Sequence, residues 1–266
     1  MSQTFSTIAQ NASEAAYPHL WKGLVGAFVP RFGVTGERLI DLSPSKNSAS
    51  LRYQTDLTVS WQPIRDGFSI FSNNNAHGVL AGIKNLNLQE LSIVAVCRFL
   101  SQNSNYNTIT NKELDFTNRN WWLGTLLDGK LTFRRSIGAA DVSFDSGVVM
   151  QQNTTYHIAA TSSDELSHSI WIDGHNANST NYVGTRSTAG TDNWIGVYRI
   201  GQLPLNGYIS SLLYYDRALS AAEIKRLYSN PNGPFERKRR RVYSIPGPAF
   251  KAAWAARATT IAGVLR

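Results

Sequence analysis

"LNGYISSLLYYDRALSAAEIKRLYSNP" runs from Leu205 to Pro231, and two structural signals meet in it. The first part, "GYISSLLYYDR", is a strand-like run of mixed apolar and polar residues. The second part carries a marked helix start. Ser220 stands where a helix cap is needed and Glu223 follows three residues later, the spacing of a capping box. Leu219 and Ile224 occupy the two hydrophobic-staple positions, and Ile224, Leu227 and Tyr228 form one apolar stripe. Asn230-Pro231 ends the pattern. The spacing predicts a short helix from about Ala221 to Tyr228, fed directly by a strand.

Upstream of this point the chain reads as strands and turns. In "LSIVAVCRF", Leu91, Ile93, Ala95, Cys97 and Phe99 alternate with Ser92, Val94, Val96 and Arg98. Apolar residues on both faces suit a strand inside a sandwich, with Cys97 as a small core residue. "LWKGLVGAFVP", "NWWLGTLL", "KLTFRRS", "TYHIAATS", "HSIWID" and "NWIGVYRIG" are similar runs. Asp128-Gly129, Asp173-Gly174 and Asn206-Gly207 supply turn signals that tolerate positive φ. Many short strands with few helical stretches predict an all-β sandwich or jelly roll. The chain of 266 residues has room for one large β domain or two small domains, and its 42% hydrophobic content supports a substantial core. We divide it into an N-terminal arm (1–20), a jelly-roll domain (21–232) and a basic C-terminal arm (233–266).

The Leu205–Pro231 stretch resembles the closing segment of laminin-G-like, concanavalin A-like lectin/glucanase domains. The matching residues are Gly207, Ile209, Tyr215, Asp216, Arg217, Leu219, Ser220, Glu223, Ile224, Leu227 and Tyr228. "NTTYHIAATSSDELSHSIWIDG" is similar to that family's central hairpin. "LVGAFVP" followed by "LIDLSPSKNSASL" is similar to its opening, with Pro44 and Lys46 standing where glycines are common. The resemblance covers roughly residues 20 to 232. It implies a β-sandwich with one short C-terminal helix, and it leaves lectin and glycosidase activity both open.

Retaining glucanases of this fold carry E-x-D-x-E or E-x-D-x-x-E on one strand face, because double displacement needs two closely spaced carboxyls. In "KELDFTNRN", Glu113 and Asp115 are present, but Thr117 or Asn118 holds the third position. The expectation is therefore no hydrolase, and no other catalytic motif stands in the chain. His157 is expected to be a packed strand residue. A lectin of this fold needs an exposed aromatic platform, for which Trp194, Tyr198 and Trp122 are the candidates. Alternation turns one of Trp121 and Trp122 outward. Asp192 and Asn193 are weak candidates for a Ca²⁺ loop, since hard cations take oxygen ligands. No cofactor is otherwise implied.

Charge is concentrated at one end. The net charge is +8. From Pro231 onward eight Lys/Arg face one acid, Glu236, which is +7 and leaves +1 for the preceding residues. Such a tail favours an anionic partner. Cys97 is the only cysteine, so no intrachain disulfide can form. The opening "MSQTFSTIAQNASEAAYPHL" has no basic head and no apolar h-region, and no apolar run reaches membrane-spanning length, so synthesis as a soluble cytosolic chain without membrane contact is expected.

The tail resembles the ends of laminin-G-like proteins encoded by tailed phages, through Arg239–Ser244, Pro248–Arg257 and Val264–Arg266. That resemblance implies a virion protein: a capsid decoration, tail or fibre-associated jelly roll in many copies. Its basic arm would dock on other virion proteins, and a host-surface glycan is the further partner implied. Arg237, Lys238, Arg239, Arg240 and Arg241 form the cationic strap. Phe250 and Trp254, four apart in an Ala-rich stretch, would form a two-aromatic anchor, which favours a protein partner over nucleic acid. A free carbohydrate-binding adhesin and a glycoside hydrolase are the alternatives.

Overall fold

The Leu205–Pro231 stretch folds as a strand running into a helix, Ala221–Ser229 (α1). The computed structural model describes residues 8–32, 34–35, 38–52, 60–64, 67–72, 78–81, 89–100, 106–113, 119–137, 140–163, 167–182, 184, 193–198 and 203–238. The Ser220 hydroxyl accepts the Glu223 amide, and the Glu223 carboxylate accepts the Ser220 amide at 3.0 Å, so both orphan donors are satisfied. Ser220→Ala is expected to lower unfolding stability by on the order of 1 kcal/mol in a denaturant titration. An unchanged midpoint would show that the cap contributes nothing.

Among the described residues seventeen strands precede or flank this helix. They are Leu24–Phe28 (β1), Val34–Thr35 (β2), Arg38–Ile40 (β3), Ser48–Arg52 (β4), Ser60–Ile64 (β5), Gly67–Ser72 (β6), Gly78–Ala81 (β7), Leu91–Phe99 (β8) and Asn107–Glu113 (β9). Arg119–Thr125 (β10), Lys130–Ile137 (β11), Ala140–Val149 (β12), Thr155–Ser162 (β13), Ser167–Ile172 (β14), His175–Asn181 (β15), Asn193–Ile195 (β16) and Gly207–Tyr215 (β17) follow. They form two antiparallel sheets. One has the order β15-β14-β13-β8-β17-β6-β5, with β1 also on β17; the other has the order β12-β11-β10-β9-β16-β7-β4-β3-β2. The expected β-sandwich jelly roll with one short helix is the observed architecture.

Strand β17 holds the first sheet together. One edge pairs along its length with β8, while the other is shared by β6 at Gly207–Ile209 and β1 at Leu212–Tyr215. Alternation on β8 sorts its residues as expected. Leu91, Ile93, Ala95, Cys97 and Phe99 enter the main core with Ile109, Trp121, Leu123, Phe133, Ile158 and Tyr214. Burial pushes the Cys97 thiol up, which suits an inert packing residue.

The other face of this sheet carries a second core. Val94, Ala159, Leu213 and Tyr215 are covered by Ile224 and Leu227 of α1, by Ile8, Ala9, Ala15, Leu20 and Trp21, and by Phe235. Residues 8–20, expected as part of an arm, are therefore a structural layer; residues 1–7 lie outside the described residues. The physical reason is that a two-residue apolar stripe on α1 is too narrow to cover the sheet face alone, and the remaining apolar area draws in both chain ends. The ends also pair with each other. Ala9 donates to the Phe235 carbonyl, Ala16 to Glu236 and Lys238 to Glu14, and an isolated bridge joins Ala15 to Arg237.

Arg217 fastens this cap. Its guanidinium grips Glu223 through two nitrogens at 2.9 and 2.6 Å and donates to the carbonyls of His19 and Lys22. Burial raises the Glu223 carboxyl, but Arg217 and the Ser220 donors outweigh it and hold it down at about 2. The matching residues Arg217, Ser220 and Glu223 are thus one hydrogen-bonded unit, which joins the N-terminal segment to the helix.

The turn signals divide. Asp173-Gly174, with φ of 50° and 76°, closes the two-residue β14–β15 hairpin. Asp128-Gly129 lies in the β10–β11 turn. Asn206-Gly207 closes no hairpin: Gly207 opens β17, where a Cβ would stand 2.1 Å from the Arg98 carbonyl oxygen. Glycine is there for close approach rather than for its dihedral freedom.

Candidate functional site

The strand pair β10–β11 brings two consecutive tryptophans against two consecutive arginines. Trp121 faces Arg135 and Trp122 faces Arg134. The period of two sends Trp121 into the main core, and Arg135, only 1% exposed, points the same way. Trp122 and Arg134 stand on the outer face of the nine-stranded sheet. The Arg134 guanidinium lies over the Trp122 ring, 5.2 Å from its centroid. Tyr106 meets the same indole edge-on at 6.3 Å. The Trp122 Nε1 donates to the Thr108 hydroxyl at 3.0 Å, which fixes the ring. Tyr106 and Arg134 are half-buried.

The three aromatic candidates do not form an exposed platform. Trp122 does face outward, but Arg134 and Tyr106 cover it to 1% exposure. Trp194 and Tyr198 are 4% and 2% exposed. Trp194 sits in β16 opposite Asn111, whose side-chain amide donates to the Val197 carbonyl at 2.6 Å. That strand is held from both sides by β7 and β9. The sequence runs "NWWLGTLL" and "NWIGVYRIG" show facing but not cover, because cover comes from other strands.

The cation candidates fare no better. Asn193 lies inside β16, 1% exposed, rather than in a loop, and pairs opposite Lys112. Asp192 lies outside the described residues. Among the described residues no group of three or more His, Cys, Asp or Glu could hold a metal ion. His157 is packed as expected, against the Tyr228 ring, and burial lowers its imidazole to about 4. Glu113 ends β9, buried at 1% exposure; Asp115 and Thr117 lie outside the described residues.

Of the cationic strap, Arg237 is committed to the body, 3.1 Å from Glu14, and Lys238 is tied by its backbone to the same residue. The Arg237 guanidinium is thus paired within the body, whereas the Lys238 side chain is exposed. Arg239, Arg240, Arg241, Phe250 and Trp254 lie outside the described residues. Arg134 and Tyr106 were not among the sequence candidates. The available signal was the "RR" pair inside a strand-like run, where alternation must send one guanidinium out.

The relatives agree with this architecture. Residues 72–225, more than half of the chain, match the model of the concanavalin A-like lectin/glucanases superfamily, and the chain belongs to that superfamily. No curated protein matches the sequence. Among solved structures, the binding domain of Paraclostridial Mosquitocidal Protein 1 is 18% identical with a TM-score of 0.60, over 79% of this chain and 52% of that one. Botulinum neurotoxin type C, described as depending on two ganglioside molecules for cell entry, is 15% identical with a TM-score of 0.63, over 80% and 52%. Trypanosoma rangeli sialidase is 16% identical with a TM-score of 0.56, over 77% and 32%. This chain thus spans about half the length of the toxin chains and a third of the sialidase. At these identities the likeness is one of fold.

Proposed function

We propose that this chain is a glycan-recognising, non-hydrolytic lectin-like protein of a virion, docked on a neighbouring virion subunit by its basic C-terminal segment. The observation that carries the reading is the two-sidedness of the sandwich. The outer face of the eight-stranded sheet is covered by α1 and both chain ends, and residues 236–238 lie in that cover. Arg239–Arg241 continue from there. The outer face of the nine-stranded sheet carries the Trp122, Arg134 and Tyr106 cluster on the opposite side. A protein held by residues 239–266 would present that cluster outward. Superfamily membership and the ganglioside-dependent neurotoxin support a glycan as its partner. The third carboxylate position, Thr117 or Asn118, supports binding without turnover. Weak single-site affinity would be multiplied by many copies.

Co-expression with particle proteins tests the docking. The full chain is expected to sediment with particles, whereas a chain lacking residues 239–266 stays folded and free. Equal particle occupancy for both would refute the anchor. Incubation of the full chain with β-glucans, agarose, carrageenan and alginate should release no reducing ends; turnover abolished by Glu113→Gln would overturn the non-hydrolytic reading.

A further inference from the structure

We infer that Arg134, laid over Trp122 beside Tyr106, is a recognition site for the carboxylate of an acidic sugar. This rests on the glycan-binding reading above and names its ligand class. Five other arginines are committed elsewhere. Arg217 and Arg237 are neutralised by Glu223 and Glu14, Arg98 donates to Asn153, and Arg31 and Arg226 lie over Phe32 and Tyr17 in the cap. Arg134 lies on the opposite outer face, and among the described residues no carboxylate is within ion-pair reach of it. The indole beneath it restricts where the guanidinium can lie, and among the described residues no hydrogen bond takes up its N–H groups, which are left to donate. That fork matches a carboxylate in two parallel bonds, and its orientation is set before the ligand arrives.

The two acids nearest in the strand register are engaged. Asp145 accepts the Gly147 amide at 2.7 Å and, with Asp128, faces the Lys130 ammonium. Asp141 accepts the Ser136 hydroxyl at 2.7 Å. Across the strand from Arg134 stands Ser143, exposed and small, and among the described residues no carboxylate there competes for the guanidinium. The half-buried Tyr106 ring provides a wall against which a sugar ring can rest. A neutral sugar would leave the guanidinium charge unanswered, whereas a carboxylate meets it.

The test uses the full chain on immobilised glycans: sialic-acid-terminated, uronic-acid-containing and neutral, including desialylated and carboxyl-reduced counterparts. Retention is expected on at least one acidic class, with loss on the carboxyl-reduced form. Arg134→Gln should weaken it on the order of 10- to 100-fold, with partial recovery in Arg134→Lys. The sialic and uronic arms separate the two sources of carboxylate. Ser143→Glu places an intramolecular carboxylate opposite Arg134 and should abolish acidic-glycan retention. This variant decides the matter if Arg134→Gln loses its fold. Retention of neutral glycans unaffected by either variant would sink the carboxylate site while leaving glycan binding intact. Retention of no glycan at all would sink the glycan reading itself.

Discussion

Phe235→Ala is expected to cost the domain about 3–5 kcal/mol, the usual penalty for emptying a fully buried aromatic site. Phe235 is 1% exposed and lies beyond the helix that the family resemblance ends on. It meets Trp21 edge-on at 6.0 Å and Phe32 at 6.1 Å, and the Trp21 Nε1 donates to the Pro234 carbonyl. The Phe235 carbonyl in turn accepts the Ala9 amide at 2.8 Å. Loss of the ring therefore loosens both chain ends at once, and the sheet face under Val94, Leu213 and Tyr215 loses its cover. Truncation after Lys238 should leave stability unchanged, because the pairing of Glu14–Ala16 with Glu236–Lys238 is retained. Truncation before Gly233 should behave like Phe235→Ala or worse. Urea titration of the three chains gives the comparison. Equal midpoints for the two truncations would show that the cap adds nothing to the core.

That layer was not legible from the sequence. Residues 1–20 are small and polar on average, and Ile8, Ala9 and Ala15 show no period of two or of 3.6. Their burial is decided by what α1 leaves uncovered, a tertiary fact. The elements with a strong local signal were found closely: β8 and β13 at their observed bounds, and α1 to within one residue. β15, "HNANSTN", was missed because it is an edge strand with almost no apolar residue, specified by the Asp173-Gly174 turn and its pairing with β14. β12 was missed for a related reason, since Gly147 at φ of 72° breaks its alternation.

The candidate site was half legible. Alternation turns one of Trp121 and Trp122 outward, and the structure makes it Trp122, with Trp121 in the core. What alternation along one strand lacks is the strand opposite, and there Arg134 supplies both the cover over the indole and the chemistry proposed for the face. The outward aromatic is not an open platform here: it lies beneath a cation.

The opening segment holds the second large effect. Asp41→Ala is expected to destabilise the domain by about 3–5 kcal/mol, since buried donors would be left unsatisfied. The Asp41 side chain is 2% exposed and accepts four hydrogen bonds at 2.8 Å, from the Ala27, Ser43 and Asn47 amides and the Ser43 hydroxyl. Burial pushes its carboxyl up, against the pull of those donors. Together they fix the 41–47 turn to β1, the strand that completes the edge of β17. Lys46 takes φ of 50° in this turn, a conformation that costs a non-glycine residue energy. The turn is therefore held by Asp41 rather than by local preference, and removing the acceptor should release it. Asp41→Asn keeps one acceptor oxygen for the Ala27 and Ser43 amides but turns an amide toward Asn47, so its loss should be intermediate. In thermal unfolding the order should be wild type, Asn, Ala, with the alanine variant lower by about 10 °C. An alanine variant within 2 °C of wild type, a margin of roughly 1 kcal/mol for a domain of this size, would mean that water replaces the carboxylate at no cost and that Lys46 holds the turn unaided.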